Sequence, residues 1–112
     1  MSRLYVLNAD HSVEQMTDLA EWQTRLEIDN RVVAREAFAW PPGSTDKYIV
    51  TTEFTGQDQR DVNGRLEGSR PLLFETYVIG PKGNQWDGAK SYSSTWGEAS
   101  ESHDAVVSRI KS

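Results

Sequence analysis

The chain has 112 residues, 12 basic against 17 acidic, and a net charge of −5 with its two histidines neutral. That length fits one domain, which buries roughly two-thirds of its unfolded surface and so encloses a single core. The acidic balance argues against a binder of duplex DNA or anionic membrane, and the absence of Cys excludes a disulfide scaffold, zinc-finger spacing and thiol catalysis.

No apolar run approaches the roughly 20 residues of a membrane span. The opening MSRLYVLNAD lacks the apolar stretch of a secretory signal. A cytoplasmic location is therefore expected. A mean hydropathy of −0.65 leans toward disorder, but four Trp, four Tyr and three Phe argue for a packed domain.

In chain order, residues 3–8 read as a short strand, with Leu4, Tyr5, Val6 and Leu7 apolar and β-favouring. Asp10, His11 and Ser12 break it. Ser12 and Gln15 have capping-box spacing and place a helix start there, with Thr17 as a second candidate cap. Met16, Leu19, Ala20, Gln23 and Leu26 follow the 3.6-residue period, with Trp22 on the flank, and the helix ends near Glu27.

Residues 31–38 fit either period, and Pro41, Pro42 and Gly43 close a segment too short for a good helix, so a strand is predicted. Its faces are Val32, Ala34, Glu36 and Phe38 against Arg31, Val33, Arg35 and Ala37. The next strand alternates Tyr48, Val50, Thr52 and Phe54 with Ile49, Thr51, Glu53 and Thr55. Another sets Leu72, Phe74, Thr76 and Val78 against Leu73, Glu75, Tyr77 and Ile79; being apolar on both faces, it suits the centre of a sheet.

A turn at 81–84 and a weaker strand at 89–93 precede the best-marked element, a helix capped by Thr95 and Glu98. Ala99, His103, Val106, Val107 and Ile110 share one of its faces, and acids precede bases along it, as the helix dipole prefers. The order β-α-β-β-β-β-α predicts a single α+β domain over residues 1–112. Short connections favour antiparallel pairing, giving one sheet of about five strands with two helices on one face.

Phosphate-loop, dinucleotide, H-E-x-x-H and G-x-S-x-G signatures are all absent. A calcium-like run from Asp58 to Gly64 fails because Arg60 stands where an oxygen ligand is needed. His11 and His103 lie far apart in the chain. No catalytic residue, metal site or cofactor is assigned.

Glu75 is the odd residue of its strand, a carboxylate among Leu73, Tyr77 and Ile79, and costly there unless paired or protonated. Arg31, Arg35, Glu53 and His103 also stand amid apolar neighbours. Together these five residues read either as a polar cluster that fixes sheet register or as a pocket, with Glu75 and His103 as an acid–base pair. The four Trp residues read as packing, with Trp86 exposed after its turn and Trp96 covering the sheet edge.

Residues 57–70 form a long polar connection with a tight-turn signal at Asn63–Gly64. Its charges, Asp58, Asp61 and Glu67 against Arg60, Arg65 and Arg70, cancel. A connection of this length is functional or mobile. It is expected to be a candidate interaction loop, through Asp58, Arg60, Asp61, Arg65 and Arg70, and replaceable by a short turn without unfolding.

Arg31, Val33 and Ala34, then Val50, Thr52 and Phe54, then Leu73, Phe74, Glu75, Thr76 and Val78, and then Tyr92, Ser94, Thr95, Trp96, Glu98, Ala99 and His103 form an ordered pattern. In this pattern the chain resembles a family of small uncharacterised proteins of tailed phages and prophages. Trp22 fits an early-helix Trp, so the resemblance runs over roughly residues 20–107. Where that family has L-D-H this chain has Gln57, Asp58 and Gln59, and Ser102 replaces a Gly before the late His. The resemblance implies a phage-type accessory role inside an infected or lysogenic bacterium, and no activity.

Two functions follow as expectations. The first is a non-enzymatic interaction module with a protein partner, self-association remaining open. The acidic excess lies in its front half, with five basic and nine acidic residues in 1–56. The second is a binder of a small nucleotide-like anion, or a minor enzyme, built on Arg31, Arg35, Glu53, Glu75 and His103.

Overall fold

The computed structural model describes residues 3–28, 30–62 and 70–112, with the Asp61 and Val62 side chains outside that description. The class is α+β, but the described strands form two antiparallel sheets rather than one. Strands β1 (Leu4–Leu7) and β2 (Val13–Met16) make a hairpin, followed by α1 (Leu19–Ile28). Strands β3 (Val32–Ala39), β4 (Lys47–Phe54), β5 (Phe74–Ile79) and β6 (Lys90–Ser93) form a four-stranded meander. The single-turn α2 (Gln59–Val62) lies between β4 and β5, and α3 (Trp96–Ile110) ends the fold.

The expected helix start at Ser12 is a strand instead, for a local reason. The Ser12 hydroxyl and backbone N–H both donate to Asp10 Oδ1, at 2.5 and 3.0 Å, so the hydroxyl is spent on the turn. His11 takes a left-handed conformation, φ 69°, a region where a small set of residues including His is enriched. The cap moves to Asp18, whose Oδ1 accepts from Glu21 N at 3.1 Å. His11 then stacks on Trp96 with ring centroids 3.6 Å apart and planes 7° from parallel, joining the hairpin tip to the start of α3.

The hairpin also continues past β4. Tyr5 N donates to Gly56 O at 2.9 Å, and Leu4 bridges Gln57. Helix α1 lies over this junction through Trp22 and Leu26, while Leu19, expected on its buried stripe, is 56% exposed. The Trp22 indole N–H is shared between Tyr5 O and Gly56 O, at 3.0 and 3.1 Å.

Gly56 has φ +80°, and a Cβ there would come within 2.8 Å of Leu26 Cδ2. Because that atom ends a flexible side chain, the left-handed backbone dominates the cost of Gly56→Ala, about 1–2 kcal/mol. A fall in melting temperature of roughly 5 °C is expected by circular dichroism. An unchanged melt would show that the turn relaxes.

On the meander, Tyr48, Val50, Thr52 and Phe54 of β4 and Phe74, Thr76 and Val78 of β5 form the buried face beneath α3. Thr52 pairs in register with Thr76, which pairs with Ser91, so a row of hydroxyls crosses three strands. On either side lie two apolar clusters. One gathers Tyr5, Leu7, Phe54, Leu73, Phe74 and Ala99; the other gathers Tyr48, Val50, Val78, Val107 and Ile110. Along α3, Ala99 joins the first cluster, His103 meets the hydroxyl row, and Val107 and Ile110 join the second. The Thr95 cap forms as expected, accepting from Glu98 N at 3.1 Å.

The first part of the long connection is framework. Asp58 is fully buried, and Gln59 and Arg60 are 8% and 7% exposed. The Asp58 carboxylate accepts from Arg60 Nη2 at 2.7 Å, Arg3 Nη2 at 2.8 Å, and the backbone N–H groups of Arg60 and Leu72 at 3.0 Å. It thus ties together the chain before β1, the connection and the entry to β5. Replacement by a short turn would remove this tie, so the expectation of a dispensable loop is reversed here. Arg70 sits on the surface, its Nη2 2.7 Å from Glu98 Oε2. The Asp61 side chain, Asn63–Gly64, Arg65 and Glu67 lie outside the described residues.

Candidate functional site

The five residues expected to share a pocket are not brought together. Antiparallel register sets Arg35, Glu53 and Glu75 on the sheet face away from α3, with Glu53 directly opposite Glu75. Glu75 is half-buried there, not enclosed among apolar neighbours. On the same face Ile79 is 53% exposed, while Thr51 at the middle of β4 is 5% exposed. Arg31 precedes β3 and donates from Nη1 to Phe54 O at 3.4 Å.

His103 alone points into the core, 2% exposed, and its partners differ from those expected. Its Nδ1 lies 3.0 Å from Thr52 Oγ1, which lies 2.7 Å from Thr76 Oγ1. Its Nε2 faces Glu36 Oε1 at 3.9 Å, and Lys111 Nζ lies 3.5 Å from Glu36 Oε2. A carboxylate beside Nε2 favours the tautomer protonated there, leaving Nδ1 to accept from Thr52. The order hydroxyl, imidazole, carboxylate matches a nucleophilic triad in kind. Thr52, however, is fully buried and has no route to a substrate. Among the described residues, no three His, Asp or Glu side chains are grouped to hold a metal ion.

The open chemistry lies on the flank of α3. Strand β6 is four residues long, and its pairing with β5 continues one step further, Val78 N donating to Ala89 O at 3.0 Å and Gly88 N to Val78 O at 2.9 Å. The chain between β5 and β6 folds back so that Trp86 packs beside Val78. Ser102, Ala105, Val106 and Arg109 form a second stripe of α3, at spacings of three, one and three, that lines the space beside Trp86 and Ser91.

The result is a cavity of about 250 Å³ lined by Thr76, Ser91, Ser102, Trp86 and Arg109, among others. A second cavity, of about 470 Å³, is lined by Trp40, Tyr48, Asn84, Gln85, Trp86 and Arg109. Trp86 and Arg109 are walls of both, so the two cavities adjoin as the two halves of a groove, and the larger half falls in the range of small-ligand sites, about 300–1,000 Å³.

The groove is rich in unengaged donors. Among the described residues, the Arg109 guanidinium and the indole N–H groups of Trp40 and Trp86 have no hydrogen-bond or ion-pair partner. By contrast, the indole N–H of Trp22 is doubly bonded. Among the described residues no Asp or Glu side chain lines either cavity, on a chain of net charge −5, while Ser112, the last residue of the chain, lines the larger one. Lys90 also lines the smaller cavity, from a register that alternates to the outer face. Arg109 is therefore the cation common to both halves.

The main competing concavity, about 360 Å³ beside the hairpin tip, has Arg25 as its cation, and Arg25 Nη2 already donates to Leu7 O at 3.0 Å. Sequence reasoning passed over the groove because Trp86 follows a turn and Arg109 closes a helix, both ordinary surface positions. The signal for it was the second helical stripe ending in Arg109.

Elsewhere, charge is spent on structure. Burial pushes the Asp58 carboxyl up, but hydrogen bonds from Arg60 and from the Leu72 N–H outweigh it and hold it below its ordinary value. The Arg70 guanidinium likewise holds the exposed Glu98 carboxyl low. No described helix is long and apolar enough to cross a membrane. Comparison with protein-family models, with curated proteins and with solved structures finds no match to this chain.

Proposed function

We propose that the chain is a non-enzymatic binding module, of the phage-accessory kind its sequence resembles, and that it holds an anionic group in the groove between α3 and β6. One observation carries this reading. Arg109, exposed and without a partner among the described residues, borders two adjoining cavities that no Asp or Glu side chain lines, in a chain with an excess of acids. An unpaired guanidinium beside indole donors fits a phosphate or carboxylate as acceptor.

Titration with inorganic pyrophosphate, followed by Trp fluorescence, tests it. Saturable binding is expected for the wild type. A charged hydrogen bond contributes about 1.5–3 kcal/mol, so Arg109→Gln should weaken binding by roughly tenfold or more. Lys82→Gln, which removes an exposed charge outside both cavities, should leave it unchanged. Equal affinity in the two variants would remove the groove as the site.

A protein partner remains the second reading, and its support lies on α1. Leu19 and Ile28 are 56% and 72% exposed there, on a helix that also carries Glu21 and Glu27. Capture of one defined protein, lost in Leu19→Lys and retained in Arg109→Gln, would favour it.

A further inference from the structure

We infer that the groove takes a nucleoside monophosphate, with the heterocycle against Trp40 and Trp86 and the phosphate against Arg109, Ser91 and Ser102. The inference rests on the anion-binding reading above and adds the class of ligand.

The two halves of the groove differ in chemistry. The smaller cavity is a hydroxyl pocket. Ser91 Oγ lies 3.3 Å from Ser102 Oγ, so one hydroxyl proton remains for a ligand, and each oxygen keeps accepting capacity. Arg109 adds a planar fork suited to two phosphate oxygens. The larger cavity is aromatic, with Trp40 and Trp86 among its walls and the amide of Gln85 beside them. Indole faces accept flat rings in offset stacking, and a free amide offers both a donor and an acceptor to a base edge.

The aromatic half is also held in place. Asn84 Oδ1 accepts from Trp86 N at 2.8 Å while its Nδ2 donates to Tyr48 Oη at 3.1 Å. The turn that carries Trp86 is thereby fixed to β4. A phosphate alone would leave this half unfilled; a ring without charge would leave Arg109 unmet. A ligand with both parts joined uses the whole groove. Because Arg109 and Trp86 border both halves, the two parts must be close neighbours in the molecule, as base and phosphate are across one ribose.

The test needs no variant at first. The wild type is titrated with AMP, adenosine, inorganic phosphate and glycerol 3-phosphate by calorimetry. Stacking one base on an aromatic side chain is worth roughly tenfold or more in affinity, so AMP is expected to bind at least about tenfold tighter than either ring-free phosphate. Adenosine should bind weaker than AMP by a similar factor, for want of Arg109. Trp40→Leu should erase the advantage of AMP over glycerol 3-phosphate while leaving glycerol 3-phosphate binding in place. If AMP and the ring-free phosphates bind alike, the ring assignment is overturned and the anion site stands. If adenosine binds as well as AMP, the phosphate assignment is overturned. If none of the four binds, the anion-binding reading falls with it.

Discussion

Asp58→Asn is expected to destabilise the fold by about 3–5 kcal/mol, the range for breaking a buried ion pair by removing one partner. The carboxylate is fully buried and receives two arginines and two backbone N–H groups. An asparagine keeps the shape but has one acceptor oxygen where there were two, and it turns a donor toward donors. Domains of this size are stable by about 5–15 kcal/mol, so the loss is a large share of the total. Urea denaturation should show it as a lower midpoint.

The same residue sets a pH dependence. Its folded pKa is depressed, so its contribution is complete above the unfolded value near 3.9 and is lost as pH falls through the folded value. Wild type should therefore lose stability steeply below about pH 4. Asp58→Asn, already lacking that contribution, should show a flatter acid limb. Equal slopes in the two proteins would mean that another carboxylate carries the effect.

His103→Ala and Glu75→Gln are expected to separate sharply. Removing the imidazole leaves the Thr52 hydroxyl with a lost partner in a buried interior, a cost of about 1–3 kcal/mol, with the vacated volume adding to it. For a domain of this length that is a fall of roughly 5–15 °C in melting temperature. Glu75→Gln touches nothing in the core and removes one of two carboxylates directly opposed across β4 and β5. Like charges in that position are unfavourable, so this variant should melt at the wild-type temperature or slightly above. A large loss in Glu75→Gln would contradict the assignment of Glu75 to the outer face.

Strands with strict alternation were legible in the sequence. Tyr48, Val50, Thr52 and Phe54 face inward as their period requires, and α3 shows the cap and core face that its spacing announced. What was hidden depends on partners distant in the chain. Ser12 and Gln15 satisfy a capping box in spacing, but Asp10 competes for the Ser12 hydroxyl and the segment pairs with β1 instead. Glu75 drew attention as a carboxylate in an apolar strand, yet parity alone could not say that α3 packs on the other face. Asp58 sits in a polar stretch, and only the folded chain shows Arg3 and Leu72 arriving on either side of it. The groove was hidden for the same reason: Trp40, Trp86 and Arg109 come from three separated segments.

The arrangement of the core bears on the groove. The hydroxyl row that His103 caps inside the sheet continues outward through Thr76 to Ser91, where the smaller cavity opens. Thr52, itself bonded to His103, holds Thr76 from within, so one wall of the smaller cavity rests on the same buried polar tie that lies between the two apolar clusters.

The most direct measurement uses the four indole N–H resonances in a ¹⁵N-correlated spectrum during titration with pyrophosphate. Trp40 and Trp86 line the groove, whereas the Trp22 N–H is tied to Tyr5 O and Gly56 O and Trp96 stacks on His11. Saturable shifts of the Trp40 and Trp86 signals, with those of Trp22 and Trp96 unmoved, are the expected result. Shifts confined to Trp96 or Trp22, or no shift at any indole, would contradict the placement of the site between α3 and β6.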